Sequence, residues 1–218
     1  MKKSPTTYIA VIAGAGAIAA GFVWSAMADQ ANTSGPANAA SLKTAIFAGG
    51  CFWCTEADFD KVDGVVSTIS GYTGGDVDNP TYKQVTGGDT GHYESVKVSY
   101  DPQTVSYDEL VEYYFRTVDP TDPDGQFCDK GSSYRTAVFV DGSDERGIVN
   151  DEIEEIESSG TLPGPVVTKV LEAEKFWPAE DFHQNYYKTH SVKYKFYRNG
   201  CGRDARLEEL WGDEAEPG

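Results

Sequence analysis

Gly49-Gly50-Cys51-Phe52-Trp53-Cys54 is the stretch around which the chain is organised. It follows a strand-like apolar run, Thr44 to Ala48, and opens a helix-like run, Phe52 to Val62. This order of strand, two glycines and helix places Cys51 at the first turn of that helix. Backbone N–H groups are unpaired there and the helix dipole is positive, so the pattern predicts a lowered pKa and a thiolate at Cys51. The alternative is a buried, unreactive cysteine.

The composition describes a soluble, acidic chain with enough apolar residues for a core. It has 218 residues, 39% of them apolar, and a formal net charge of −17 at pH 7. That length indicates one or two domains. Phosphate binding requires clustered Lys and Arg, so the charge argues against nucleic acid as a partner.

The N-terminal residues have the pattern of an export signal. Lys2 and Lys3 precede an uncharged run that ends in Ala26-Met27-Ala28, an A-x-A cleavage site. This pattern predicts a signal peptide, while the length of the apolar run allows an uncleaved N-terminal membrane anchor instead. Both predict a periplasmic or other extracytoplasmic location for the remainder. The predicted organisation is a leader over 1–28, a flexible linker over 29–42, a catalytic domain over 43–211 and an acidic tail over 212–218.

Hydrophobic patterning predicts the element order β-α-β-β-α-β-α-β. The predicted strands are Thr44–Ala48, Val65–Tyr72, His92–Tyr100, Tyr134–Val140 and Val166–Leu171. The predicted helices are Phe52–Val62, Ser106–Arg116, which opens on an S-x-x-E capping box, Ser143–Ser158 and a short final helix over Asp204–Trp211. This order predicts an α+β fold, a ferredoxin-like two-layer sandwich with helices packed on a mixed sheet. Val118–Ser133 and a long C-terminal segment, Phe176–Tyr197, are predicted to be irregular.

Glu94 lies in the clearest predicted strand, His92 to Tyr100. Side chains alternate along a strand, so Glu94 shares a face with Val96 and Val98, the face directed to the core. Burial there predicts a raised pKa and a carboxyl group able to donate a proton near neutral pH. The alternative is a charge at the rim of the sheet.

Four cysteines in an exported protein usually indicate two structural disulfides. Cys51 and Cys54 are too close in sequence for an ordinary bridge, and C-x-x-C spacing is typical of redox or metal chemistry. One rival prediction is therefore a thioredoxin-like disulfide oxidoreductase, and another is a structural zinc or copper module. The metal module lacks a second C-x-x-C, and the three histidines show no ligand spacing. We predict no metal site and no bound cofactor. The histidines are His92, His183 and His190.

Five motifs stand in the order in which they occur in peptide methionine sulfoxide reductase A, and the chain resembles that family from Thr44 to Cys201. They are Gly50-Cys51-Phe52-Trp53, Gly71-Tyr72-Thr73-Gly74-Gly75, Asn79-Pro80-Thr81-Tyr82, Gly87 to Glu94 and Tyr134 to Phe139. The resemblance implies reduction of the S epimer of methionine sulfoxide, free or in oxidised proteins, as a repair reaction.

The resemblance also implies roles for residues at matching positions. Cys51 matches the nucleophile that attacks the sulfoxide sulfur, and Glu94 matches the acid that protonates its oxygen. Tyr82 and Tyr134 match the hydroxyl donors to that oxygen. The remaining matches are to the substrate pocket: Phe52 and Trp53 as the wall for the methyl group, then Asp129 and, more weakly, Tyr186.

The reaction would leave Cys51 as a sulfenic acid, which a second thiol converts to a disulfide. Cys201 matches the family's C-terminal resolving cysteine. Cys54 and Cys128 depart from the commoner family pattern, so each is an alternative. The resemblance implies a thioredoxin-like dithiol as the reductant, and we expect a monomer.

Overall fold

The computed structural model describes residues 41–217. The predicted leader over 1–28 and nearly all of the predicted linker over 29–42 lie outside the described residues. Within residues 41–217, no helix is both long enough and apolar enough to cross a membrane.

The described chain contains eight strands and seven α-helices. The strands are β1 Lys43–Gly49, β2 Val65–Thr73, β3 Tyr93–Tyr100, β4 Gly125–Gln126, β5 Asp129–Lys130, β6 Thr136–Val140, β7 Lys169–Glu172 and β8 Trp177–Pro178. The helices are α1 Phe52–Phe59, α2 Tyr82–Thr86, α3 Tyr107–Arg116, α4 Ser143–Ser159, α5 Tyr186–Thr189, α6 Ser191–Gly200 and α7 Arg203–Trp211. The predicted order of the main elements is confirmed.

One mixed sheet of six strands has the order β7-β6-β1-β3-β2-β8. Its inner four strands, β6-β1-β3-β2, are antiparallel to one another. Helix α1 connects β1 to β2, and α3 lies between β3 and β6 in sequence, so the inner strands have the predicted ferredoxin-like connection. Strand β7 adds in parallel to β6, and β8 adds antiparallel to β2.

The core between sheet and helices is built on Phe47 of β1. Its ring stacks on Phe59 of α1 with centroids 4.7 Å apart and on Tyr114 of α3 at 5.1 Å. All three side chains are fully buried. Loss of one such aromatic side chain typically costs about 3–5 kcal/mol, so this cluster contributes strongly to holding both helices on β1.

Helix α3 is fixed at its start and to the end of β1. The predicted capping box is present: the Glu109 N–H donates to Ser106 Oγ at 3.1 Å, and the Ser106 N–H donates to Glu109 Oε2 at 2.7 Å. Farther along, the Tyr114 hydroxyl donates to the Ala48 carbonyl at 2.7 Å. This bond fixes the end of β1, where the cysteine motif begins.

The two segments predicted to be irregular hold more structure than their patterns indicate. Val118–Ser133 contains the β4–β5 hairpin, and Ser191–Gly200 forms helix α6. Lysines and aromatic residues obscure the apolar period of α6. Its inner face is set by burial of Tyr194 and Arg198, a tertiary contact that sequence periodicity does not report.

Candidate active site

Cys51 occupies the position that the sequence predicts, directly before the first residue of α1. Strand β1 ends at Gly49, and Gly50 has a φ of +82°, which favours glycine. A Cβ atom at Gly50 would lie 2.5 Å from Cβ of Gln126, so a side chain does not fit there. The turn therefore requires glycine both for its conformation and for its contact with the β4–β5 hairpin.

Cys51 and Cys54 form a buried pair of free thiols, with 6% and 2% of their surfaces exposed. Burial raises the pKa of Cys51 well above its ordinary value, and the hydrogen bond to Cys54 raises it further. The pKa of Cys54 is lowered, chiefly by the hydrogen bond from Cys51. Of the two thiols, Cys54 is therefore the more readily ionised.

The predicted lowering of the pKa of Cys51 is wrong, chiefly because the thiol is buried, and the helix start does not compensate for that burial. The first N–H group of α1, that of Phe52, donates to Glu94 Oε2 at 3.0 Å instead of to the sulfur. The carboxyl group thus occupies part of the favourable field of the helix N-terminus. Burial disfavours the charged thiolate and is the largest cause of the raised pKa of Cys51.

Glu94 is buried, as predicted, with 1% of its surface exposed. Burial raises its pKa to about 8, against the lowering effect of the Phe52 N–H and together with the charges of Asp129 and Cys54. Its Oε1 atom has no hydrogen-bond partner within the described chain. A neutral carboxyl group with one free oxygen is suited to donate a proton to a ligand.

Tyr82 and Tyr134 lie close to Glu94 and to each other. Burial, followed by the charge of Glu94, raises the pKa of Tyr82 to about 12, and the same two causes raise the pKa of Tyr134. Both hydroxyls therefore remain protonated donors near neutral pH. The Tyr82 N–H donates to Glu180 Oε1 at 2.9 Å, which anchors the start of α2.

The predicted aromatic wall is present at the start of α1. The Phe52 ring is buried and lies 5.0 Å from the ring of His183 and 6.3 Å from that of Tyr82. Trp53 stacks on Tyr186 with centroids 3.8 Å apart, and its Nε1–H donates to His183 Nδ1 at 3.0 Å. The structure thus brings Tyr186, the weakest of the matches, into the wall.

Asp129 is joined to the site through Tyr197, which the sequence analysis missed. The Tyr197 hydroxyl donates to Asp129 Oδ2 and lies within hydrogen-bonding reach of the Cys51 sulfur. The Tyr197 ring also meets Trp53 edge-on at 5.9 Å. Tyr197 precedes Cys201 by one helical turn in an aromatic-rich run, and no local signal distinguishes it from its neighbours.

The other two cysteines are bonded to each other. Cys128 and Cys201 form a disulfide with Cα atoms 4.9 Å apart. It links the hairpin residue beside Asp129 to the end of α6. Cys201, the first choice for the resolving thiol, is therefore paired with one of its alternatives, and Cys54 is the free thiol beside Cys51.

The cysteines do not form one metal-binding group. Among residues 41–217, the set of possible ligands that lie close together is Cys128, Asp129 and Cys201, and its two sulfurs are bonded to each other. Neither Cys51 nor Cys54 belongs to it. His92 instead accepts from the Gly75 N–H at 3.1 Å and, through Nε2, donates to a backbone carbonyl at 2.8 Å, as a structural histidine does.

Comparison with known proteins identifies the family. The family model described as peptide methionine sulfoxide reductase matches residues 43–215. The chain belongs to the peptide methionine sulfoxide reductase family. It is 54% identical over 183 residues to peptide methionine sulfoxide reductase MsrA 2 of Rhizobium meliloti, covering 84% of this chain and 90% of the relative. It is 50% identical over 179 residues to MsrA 2 of Caulobacter vibrioides, covering 81% and 90%.

Solved structures of the family have the same fold. Methionine sulfoxide reductase A of Corynebacterium diphtheriae is 33% identical with a TM-score of 0.62, covering 69% of this chain and 76% of that one. Reduced Mxr1 from Saccharomyces cerevisiae is 30% identical with a TM-score of 0.65, covering 72% and 90%. Membership in the family assigns thiol-dependent reduction of methionine sulfoxide to the chain, in place of the thioredoxin-like rival. The Cys128–Cys201 bond fits a mechanism with an intramolecular disulfide.

Proposed function

We propose that this protein is a peptide-methionine (S)-S-oxide reductase that acts on the S epimer, free and in oxidised proteins, with Cys51 as nucleophile. The observation that carries the proposal is the pairing of Cys51 with a buried acid. Glu94 accepts the N–H of the residue after Cys51 at 3.0 Å, and its pKa is raised to about 8. Reduction of a sulfoxide by a thiol needs this combination, because the oxygen must gain a proton as sulfur attacks.

In the proposed reaction the Cys51 sulfur attacks the sulfoxide sulfur and its proton passes to Cys54. Glu94 gives its proton to the sulfoxide oxygen. The S–O bond to methionine breaks, methionine leaves, and the hydroxyl group remains on Cys51 as a sulfenic acid. Two electrons pass from Cys51 to the substrate sulfur. Tyr82 and Tyr134 donate to the oxygen and stabilise its developing negative charge.

Preference for one epimer follows from fixing the methyl group, the oxygen and the direction of attack around the sulfoxide sulfur. The apolar wall of Phe52 and Trp53 is suited to the methyl group, with a modest gain from sulfur–aromatic contact. The oxygen lies toward Glu94 and the two tyrosine hydroxyls. Cys51 approaches from a third direction, so the mirror-image sulfoxide would place its oxygen against the aromatic wall. Asp129 and Tyr186 border the pocket and contact the rest of the substrate.

Cys54 is the proposed resolving thiol. It is free, buried and hydrogen-bonded to Cys51, whereas Cys201 and Cys128 are bonded to each other. Cys54 attacks the Cys51 sulfur, an S–S bond forms, and the hydroxyl group leaves as water with the Cys54 proton. A thioredoxin-like dithiol then reduces the disulfide by exchange. The leader pattern supports an exported, periplasmic enzyme, and we propose that it acts as a monomer.

The test uses peptides that carry the separate S and R epimers, with dithiothreitol as reductant. Wild type is expected to convert the S epimer alone, and Cys51→Ser is expected to convert neither. With one equivalent of peptide and no dithiothreitol, Cys54→Ser is expected to release methionine once, more slowly because the proton acceptor is gone, and to accumulate a sulfenic acid. Equal turnover of both epimers, or undiminished turnover by Cys51→Ser, would contradict the proposal.

A further inference from the structure

Two buried arginines from the C-terminal helices lie against α1. Arg198 of α6 and Arg203 of α7 have 3% and 2% of their surfaces exposed, and both contact the fully buried Asp58. Arg198 Nη1 lies 2.9 Å from Asp58 Oδ1, and Arg203 Nη2 lies 3.7 Å from Asp58 Oδ2. Burying a charge is costly unless it is paired, so two cations sharing one buried carboxylate require an explanation.

Arg203 is the less completely neutralised of the two cations. Its hydrogen bonds go to neutral carbonyls, from Nη1 to Gly49 at 3.1 Å and from Nη2 to Thr117 at 2.7 Å. Its Nε atom has no hydrogen-bond partner in the described chain. By contrast, Arg198 has a second carboxylate, Asp204, at 2.8 Å. Arg203 is thus balanced by one carboxylate, the Asp58 group 3.7 Å away, and its guanidinium also lies over the Phe127 ring with 4.6 Å to the centroid.

Cys54 lies where this charge acts. It precedes Asp58 by four residues on α1, so the two side chains share a face of the helix. Arg203 reaches both Asp58 and the carbonyl of Gly49, just before the start of the same helix. The two contacts of Arg203 therefore lie on either side of Cys54 in the sequence, and its charge acts on this thiol, which has 2% of its surface exposed.

Two other titratable groups near Cys54, Tyr194 and Glu94, carry no charge near pH 7. Tyr194 of α6 accepts a hydrogen bond from Arg198 at 3.1 Å, and burial raises its pKa, so it stays neutral. Glu94, beyond Cys51, is neutral at pH 7 because its pKa is about 8. Arg203 and Arg198 lower the pKa of Cys54, and Asp58 raises it.

We propose that Arg203, balanced by Asp58, is a positioning residue that holds the negative charge of the Cys51–Cys54 pair on Cys54. This inference rests on the proposed function, in which Cys54 first accepts the proton of Cys51 and then resolves its sulfenic acid. Positive charge beside Cys54 favours the thiolate that attacks the Cys51 sulfur. No further reactant is required, because the Cys54 proton leaves with the hydroxyl group as water.

The first experiment titrates Cys54 in a Cys51→Ser background, where Cys54 is the one free thiol, by thiolate absorbance in the ultraviolet. Adding Arg203→Met is expected to raise the titration midpoint by about one pH unit, as for loss of a nearby opposite charge. Adding Asp58→Asn is expected to lower it. Arg203→Lys, which keeps the charge, should lie near the parent. Arg206→Met on the same helix is the matched control and should not move the midpoint.

A structural role alone would not shift the midpoint in opposite directions for opposite charges. An unmoved midpoint in both variants, or a shift of the same sign in both, overturns the inference. If Arg203→Met does not fold, Arg203→Gln, which removes the charge and keeps a hydrogen-bond donor, is measured in its place with the same expected rise. Loss of S-epimer reduction in Cys51→Ser tests the proposed function separately, so a failure here leaves that result standing.

The second experiment separates the steps in the otherwise wild-type enzyme. One equivalent of sulfoxide peptide is added, and methionine, sulfenic acid and disulfide are measured over time. Arg203→Met is expected to slow disulfide formation about tenfold, so that sulfenic acid accumulates, and raising the pH should restore much of the rate. Disulfide formation at the wild-type rate across the pH range overturns the inference.

Discussion

The N–H of Phe52 and the carboxyl group of Glu94 are joined by a hydrogen bond of 3.0 Å between the start of α1 and strand β3. This contact places the acid next to the nucleophile without using a side-chain donor. It also uses the N–H that would otherwise stabilise a Cys51 thiolate. The helix start therefore holds the acid, and burial together with the hydrogen bond between the thiols makes Cys54 the more readily ionised of the two.

Replacing Glu94 with Gln removes the proton donor and preserves the shape of the side chain. Single-turnover methionine release at pH 7 is expected to fall by about 10²–10⁴, the range for loss of a general acid. Because the pKa of Glu94 is about 8, the wild-type rate should fall as the pH rises through that value. The variant should lack this fall.

The matched control for that measurement is Glu174→Gln, at an exposed position away from the site. It should retain both the rate and the pH profile of the wild type. A Glu94→Gln variant that releases methionine at the wild-type rate would show that another group protonates the oxygen.

Tyr82→Phe and Tyr134→Phe test the two hydroxyl donors. Each single variant leaves one hydroxyl to hold the oxygen, whereas the double variant should lose about 10²–10³ in single-turnover rate, as for loss of an oxyanion donor. The affinity for methionine, which lacks the oxygen, should change little. Rates for all four proteins with the same peptide give the coupling between the hydroxyls. Fully additive losses would indicate that they act on different groups.

The fold was predictable because its signals are local. Alternation in β3 places Glu94 on the buried face, and the capping box at Ser106 locates the start of α3. The glycines before Cys51 mark the turn from β1 to α1. Each signal depends on residues within one element, so the ferredoxin-like order follows from reading the elements in sequence.

The residue pattern alone located Cys51 and Glu94, and the rest of the site was predictable only where the family resemblance supplied the positions. Tyr197 is 68 residues from its partner Asp129, and the Arg203–Asp58 contact joins α7 to α1. Such pairs arise from packing of the C-terminal helices on α1, which no periodicity encodes. The pKa of Cys51 was mispredicted for the same reason, since its main determinants are burial and contact partners and not its place on the helix.

Loss of the Cys128–Cys201 disulfide is expected to lower the stability of the protein but not to abolish its activity. Cys128 and Cys201 are 73 residues apart, and closing a loop of that size stabilises a fold by up to about 4 kcal/mol in the chain-entropy account. The double variant Cys128→Ser/Cys201→Ser is therefore expected to unfold at lower denaturant concentration. Below that concentration it should still reduce the S epimer and form a Cys51–Cys54 disulfide, identified by mass mapping. Accumulation of sulfenic acid would instead make Cys201 or Cys128 the resolving thiol.

Glu56 predicts a pH-dependent stability. It is fully buried, its Oε2 accepts the N–H of Asn185 at 2.9 Å, and burial raises its pKa from 4.5 to about 7. The folded state therefore keeps a proton that the unfolded chain releases above about pH 4.5. The stabilisation is complete below that pH and is lost as the pH rises through 7, by at most about 3 kcal/mol. Glu94 contributes with the same sign, so the informative quantity is the difference between wild type and Glu56→Gln. That difference in the free energy of unfolding, measured with denaturant across a pH series, should change between about pH 4.5 and 7. The free energy of unfolding of the exposed variant Glu154→Gln should instead run parallel to that of wild type. A Glu56→Gln curve parallel to wild type would mean that Glu56 is already ionised in the folded state.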